Sequence, residues 1–124
     1  MKSKESAIAA AKACGDKKAK DIAILELKDL TVIADYFVIC SGESTTQVKA
    51  IAQHIERKLR DEGTRPLRTE GAQNALWVLL DYGDVMVHVF EEQTRAYYEL
   101  EKFWLDAPRI QVNDKDTPAL GRKE

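Results

Sequence analysis

Two periods of apolar and polar positions alternate along this chain, and the switches between them mark its elements. Residues 4–19 are rich in alanine, the strongest helix former, and predict a short helix with Ile8 as the one large apolar side chain on a thin stripe. Ser3 or Ser6 is placed to cap it, and Gly15 weakens its last turn. Residues 21–27 read as a first strand and 29–34 as a connection. In residues 35–40 an acid is followed by a continuous run of aromatic, β-branched and other apolar side chains. Such a run predicts a central strand buried on both faces, and Ser41-Gly42 ends it.

The clearest helix comes next. Ser44 and Gln47 have the spacing of a capping box. Val48, Ile51, Ala52, Ile55 and Leu59 recur at helical intervals, and Gly63 is placed to close the C-terminus. The opposite face carries Lys49, Gln53, Arg57, Lys58 and Arg60, which reads as a solvated face or as a basic binding stripe. Residues 65–74, with Pro66 and Gly71, predict a short strand and a loop. Residues 75–82 and 85–90 are two strands around Gly83-Asp84, a hairpin by length and turn chemistry. Residues 91–104 return to helical spacing, with Tyr97, Leu100, Phe103 and Trp104 on one side and Thr94 as the cap. The expected architecture is one α/β domain over residues 1–106, a mixed β-sheet packed by helices. Its first two strands are too close in sequence for a helical crossover and should be antiparallel. Residues 107–124 read as a flexible C-terminal tail with little core to contribute.

A two-residue turn at Gly83-Asp84 sets a register. Tyr82 then faces Val85, Asp81 faces Met86, Leu80 faces Val87, Leu79 faces His88 and Trp77 faces Phe90. Side chains alternate across a strand, so Trp77, Leu79, Asp81, Met86, His88 and Phe90 share one face, extended by Ala75. Leu76, Val78, Leu80, Val87 and Val89 share the other, which is wholly aliphatic and should be core. On the first face Asp81 lies diagonal to His88, at roughly 7–8 Å between backbones. Two accounts fit that face: Asp81 and His88 pair at the edge of a covering helix, or the face is a partner surface with Trp77 as an anchor, since Trp is enriched at interface hot spots.

The length of 124 residues suits one domain with a real core and no staples. Apolar residues make up 44% and charged residues 32%, a globular balance. A net charge of −2 and a pI near 5.8 argue against specific nucleic-acid binding, which needs a surplus of Lys and Arg. They permit a basic protein partner. Cys14 and Cys40 are far apart and form no Cys-x-x-Cys, so Cys40, at the end of an apolar run, reads as a small buried hydrophobe. No long apolar stretch predicts a signal peptide or a membrane span, and the expected compartment is cytoplasmic.

Catalytic chemistry finds little support. His54 and His88 stand in no metal-ligand pattern. Asp81 and Asp84 flank a turn, where Asp is favoured anyway. Ser41-Gly42 followed by Ser44, Thr45 and Thr46 opening a helix has the look of a phosphate cradle, but it has one glycine, no Walker lysine, and no Asp-x-Asp for magnesium after it. Neither a cofactor nor a metal is expected.

In Asp35-Tyr36-Phe37-Val38-Ile39-Cys40-Ser41-Gly42, Gln47-Val48, Glu70-Gly71, Trp77, Asp81-Tyr82-Gly83-Asp84 and Val87-His88-Val89-Phe90, and in Arg95, Tyr98, Leu100-Glu101 and Trp104, the chain resembles the ribosomal silencing factor (RsfS, or Iojap) family. The resemblance covers about residues 5–106 and lies in the order and spacing of these pieces together. It implies a nucleotidyltransferase-like fold without the catalytic acids, and no enzyme activity; a nucleotide-binding enzyme is the alternative. It further implies docking on the large ribosomal subunit through the ribosomal protein called L-fourteen, blocked association with the small subunit, damped translation, and a homodimer off the ribosome. The partner-binding residues it points to are Glu70, Trp77, Leu79, Asp81, Tyr82, Asp84 and His88. Arg95, Tyr98, Glu101 and Trp104 match as well, though packing of the last helix also explains them.

Overall fold

The computed structural model describes residues 2–112. Helix α1 (Ser3–Asp16) is followed by strands β1 (Lys20–Glu26) and β2 (Tyr36–Gly42), helix α2 (Thr45–Asp61), strands β3 (Arg68–Glu70), β4 (Trp77–Asp81) and β5 (Val85–Glu91), the short helix α3 (Glu92–Tyr98), a 3-10 turn (Leu100–Trp104) and strand β6 (Arg109–Ile110). The six strands form one sheet in the order β3-β4-β5-β2-β1-β6. β2 and β5 pair in parallel at its centre and every other pairing is antiparallel, so the sheet is mixed and β1–β2 is antiparallel as expected.

Burial follows the sequence pattern closely in the middle of the chain. Every residue of β2 is buried, as its unbroken apolar run requires. In α2 the buried set is Val48, Ile51, Ala52, Ile55 and Leu59, the stripe read from spacing. Ser44 Oγ accepts from the Gln47 amide at 3.1 Å, half of the expected box. The Gln47 side chain does something else. It accepts from the Glu43 amide at 2.7 Å and donates to the Lys17 and Lys18 carbonyls at 3.2 and 3.3 Å, pinning the α1–β1 turn to the start of α2. Helix α1 starts without a serine cap; the Lys2 amide donates to the Glu5 carboxylate, and Ser6 is buried instead. Its alanines Ala7, Ala10, Ala11 and Ala13 are nearly or fully buried. Small side chains there let α1 lie close to α2 and the sheet, which is why a stripe with one large residue suffices.

The two faces carry separate cores. α1 and α2 cover one, with Val38, Val78, Leu80, Val87 and Val89 beneath them. The other holds Leu25, Phe37, Ile39 and Phe90 under Leu100, Trp104 and Ala107. Cys14 and Cys40 are both buried on the first face. A hydrogen bond to Cys40 and burial push the Cys14 thiol up, so it stays protonated.

Several expectations change at the edges. The hairpin register is as read, but Ala75 has φ +59 and is buried in the helix-side core, while Leu76 is 47% exposed. The left-handed residue breaks the alternation just before β4, so the strand pattern cannot be extended through it. The predicted last helix divides at Glu99, which is also left-handed at φ +49. Leu100 and Trp104 turn inward, whereas Tyr97 and Phe103 are exposed. The cap of α3 is Glu91, whose carboxylate accepts from the Gln93 and Thr94 amides, with Thr94 Oγ1 bonded to the same group. Past residue 106, Ala107 is buried, β6 pairs Ile110 with Ile24 and Arg109 with Leu25, and Ile110 and Val112 pack on the helix-side core. The start of the expected tail thus belongs to the sheet; its remainder, 113–124, lies outside the described residues.

Candidate functional site

The register places most of the expected partner-binding residues on the face away from α1 and α2. Glu70 pairs with Leu79, Leu79 with His88, and His88 with Ile39, which sets them in one row across the sheet. Trp77 lies opposite Phe90, and Asp81 lies between Arg68 and Met86. Tyr82 is not with them. It packs on the helix-side core with its hydroxyl buried and without a partner among the described residues, and burial, with the nearby Glu56 carboxylate, drives the phenol far above its usual range. The Asp84 side chain is exposed at the hairpin tip, where its carbonyl accepts from the Asp35 and Tyr36 amides and joins the turn to β2.

Asp81 and His88 do not pair. Asp81 Oδ1 accepts from the Gly83 amide at 2.8 Å and Oδ2 from Arg68 Nε at 3.0 Å. The turn claims one oxygen locally, and the neighbouring edge strand supplies a cation at the directly opposed position, closer than the diagonal histidine. Arg68 also bonds Glu70, so a chain of alternating charge runs from the buried Asp81 to the exposed Glu70. His88 turns the other way, its Nδ1 accepting from Trp77 Nε1 at 3.1 Å.

This contact belongs to a row of rings crossing the face. Tyr97 meets Tyr98 at 5.0 Å between centroids, Tyr98 meets Trp77 at 5.1 Å, Trp77 meets His88 at 5.9 Å, His88 meets Phe37 at 4.5 Å, and Phe37 meets Trp104 at 5.9 Å. Phe90 lies against Trp77 at 4.7 Å. Most of these contacts are tilted or edge-on, the arrangements aromatic quadrupoles favour. His88 is 5% exposed, and desolvation pulls its imidazole down to about 4, so it is neutral at physiological pH. Trp77 and Leu79 are half-buried and Tyr98 is 51% exposed, so the row opens to solvent on the β4–α3 side. Gly71 makes room there: at φ +81, a Cβ would fall 2.0 Å from the Trp77 carbonyl.

Sequence reading missed Phe37 and Arg68 as members of this face, while Met86 lies where the hairpin register put it. The parallel β2–β5 register brings Phe37 and Met86 side by side, and no local pattern signals a parallel pairing. Arg95 is a structural residue. Its side chain is 13% exposed; it donates to the Asp21 carbonyl and Ser41 Oγ, each at 2.8 Å, and grips Glu101 through two nitrogens. The Arg95 guanidinium holds the Glu101 carboxyl below its usual range. The Ser41 hydroxyl, the one a phosphate cradle at the β2–α2 turn would use, is thereby engaged within the fold. Among the described residues no group of acids, histidines or cysteines is placed to hold a metal, and no helix is long and apolar enough to cross a membrane.

A six-stranded mixed sheet with two helices on one face, and a row of aromatic rings partly open on the other, defines a small α/β domain. The chain belongs to the family described as "Ribosomal silencing factor during starvation", RsfS, which it matches over residues 1–124. It is 45% identical over 112 residues to "Ribosomal silencing factor RsfS" of Halalkalibacterium halodurans, an alignment spanning 90% of this chain and 96% of that protein. To the Bacillus subtilis protein of the same name it is 50% identical over 99 residues, 80% of this chain and 84% of the relative. "Protein Iojap, chloroplastic" of Zea mays is 36% identical over 86% of this chain and 46% of its own length. A crystal structure of a Chromobacterium violaceum protein superposes with a TM-score of 0.83 at 36% identity, covering 91% of this chain and 95% of that one. The family is named for silencing ribosomes, which is regulation and not an enzymatic reaction.

Proposed function

We propose that this protein docks in the cytoplasm on the large ribosomal subunit through the ribosomal protein called L-fourteen, keeps the small subunit from joining, and so represses translation. Family membership supports a ribosomal target, and the open aromatic face supports docking by contact. The observation that carries the docking surface is the half-buried Trp77, in tilted contact with Phe90 and Tyr98 and bordered on the β3 side by the exposed acid Glu70. An aromatic anchor with a charged rim is the anatomy of an interface hot spot. Glu70 and Asp84 are exposed acids here against one exposed cation, Arg68; ribosomal proteins are basic and ribosomal RNA is acidic, so a rim with that surplus of acid favours the protein component. Trp77 and Leu79 make the apolar contact in this reading and Glu70 orients it. Asp81 and His88 support the face from below, Asp84 meets the partner at the hairpin tip, and Tyr82 serves the core. Exposed Leu30, Val32, Ile33, Phe103 and Leu105 are apolar side chains available to a homodimer off the ribosome.

Centrifugation of the protein with purified subunits tests this. It should pellet with large subunits and stay in solution with small ones, and excess protein should reduce the yield of joined ribosomes. Equal partitioning between the two subunits, or none with either, overturns the reading.

A further inference from the structure

His88 sits in the middle of the aromatic row yet does not reach its surface. Its Nδ1 accepts the indole proton of Trp77. A neutral imidazole nitrogen that accepts carries no hydrogen, so the ring proton is on Nε2. Nε2 is itself buried and has no partner among the described residues. The ring is flanked by Phe37 at 4.5 Å and lies nearly parallel to Phe90 at 6.3 Å, with an interplanar angle of 13°. In such an apolar slot a phenylalanine would remove the unpartnered Nε2 donor, whose unmade hydrogen bond is destabilising, but would leave the Trp77 N–H without its acceptor. The imidazole supplies one thing a phenyl ring cannot, an acceptor for the Trp77 N–H.

We propose that His88 is a positioning residue for docking: it acts through Trp77, fixing the half-buried indole in the orientation in which its open edge meets the basic protein partner. The inference rests on the docking reading above. The tilted ring contacts with Phe90 and Tyr98 are not directional in the way a hydrogen bond is, and they hold the indole loosely. The directional N–H···N bond removes that freedom. An anchor held before contact loses less conformational freedom on binding, which strengthens association without adding a contact.

Two substitutions separate positioning from packing. His88→Phe keeps an aromatic ring and removes the acceptor, and His88→Asn puts an amide oxygen near the place of Nδ1. Pelleting with large subunits measures affinity, and thermal unfolding measures the fold. His88→Phe exchanges the unpartnered Nε2 donor for an unpartnered Trp77 N–H, so it should melt close to the unaltered protein while binding about fivefold more weakly, the worth of one ordinary hydrogen bond. His88→Asn should bind within about twofold of the unaltered protein despite looser packing. In a Trp77→Phe background, which has no indole proton to hold, His88→Phe should weaken binding further by less than about twofold. Three results overturn the positioning role and leave docking intact: unaltered affinity in His88→Phe, an equal loss in the Trp77→Phe background, or a large fall in melting temperature of His88→Phe that accounts for the lost binding. If the unaltered protein fails to pellet with large subunits, the docking reading falls and this inference with it.

Discussion

Asp81 commits both carboxylate oxygens to its own chain, one to close the β4–β5 turn at Gly83 and one to Arg68 on the edge strand. Its side chain is only 12% exposed, so little of it is left to meet a partner. Asp81→Ala should therefore cost about 1–3 kcal/mol of stability, as for removal of a buried, charge-assisted bonding group. Measured where the variant is still folded, affinity for large subunits should change by less than about threefold. A tenfold loss of affinity with an unchanged melting curve would make Asp81 a direct contact. His88 carries a pH dependence of known sign. Its folded-state value is about 4 against an ordinary 6.5, with desolvation as the cause. Above 6.5 the ring is neutral whether the chain is folded or not. As pH falls from 6.5 to 4 the unfolded chain takes up a proton that the folded one refuses, and stability is lost through that window. The loss amounts to about 3 kcal/mol when complete. Denaturant unfolding at a series of pH values should show it, and His88→Phe should flatten that part of the profile. An unchanged slope would place the ring in a wetter site than the one described.

At the scale of elements, the last stretch of the chain departs furthest from its sequence pattern. Helical spacing over 91–104 is real, but the left-handed Glu99 divides it into α3 and a 3-10 turn and sends Tyr98 and Trp104 to different ends of the aromatic row. Arg95 and Glu101 then tie the two pieces to each other, and through Asp21 and Ser41 to β1 and β2. β6 completes the arrangement: two residues long, it covers the edge of β1, and Arg109 reaches Glu101. Ending the chain after Asp106 removes the buried Ala107, that strand, Ile110 and Val112. Partial burial of two aliphatic side chains and a short ladder together contribute about 2–3 kcal/mol. The truncated protein should melt roughly 10 °C lower. A truncation that melts with the full chain would show that β6 adds nothing to the fold.

For the whole molecule the decisive feature is the asymmetry of the two faces. α1 and α2 cover one side, and on the other, among the described residues, the short α3 and 3-10 segments lie over the sheet and leave part of the aromatic row open beside an acid. The net charge of −2 is too small to steer association by itself, so the local placement of Glu70 matters more than the total. Glu70→Lys should slow association with large subunits at low salt, with an effect that fades as salt approaches physiological strength, since an exposed rim charge acts on encounter more than on the closed contact. A salt-independent loss would instead put Glu70 inside the contact.

Much of this architecture was legible because its signals are local. The capped α2 stripe, the doubly buried β2 and the hairpin register each follow from periodicity and turn chemistry within some fifteen residues, and the candidate face followed from that register. What tertiary structure decided depends on groups far apart in sequence. The parallel pairing of β2 with β5 brought Phe37 beside His88. The edge strand gave Asp81 its arginine in place of the histidine, and freed His88 for Trp77. Tyr82 is the exception among the candidates: next to Asp81 along the chain, it lies on the opposite face by simple alternation and packs on the helix-side core. Residues 107–112 showed no strand period of their own; a two-residue strand exists only because β1 offers an unpaired edge, and an edge is a property of the assembled sheet.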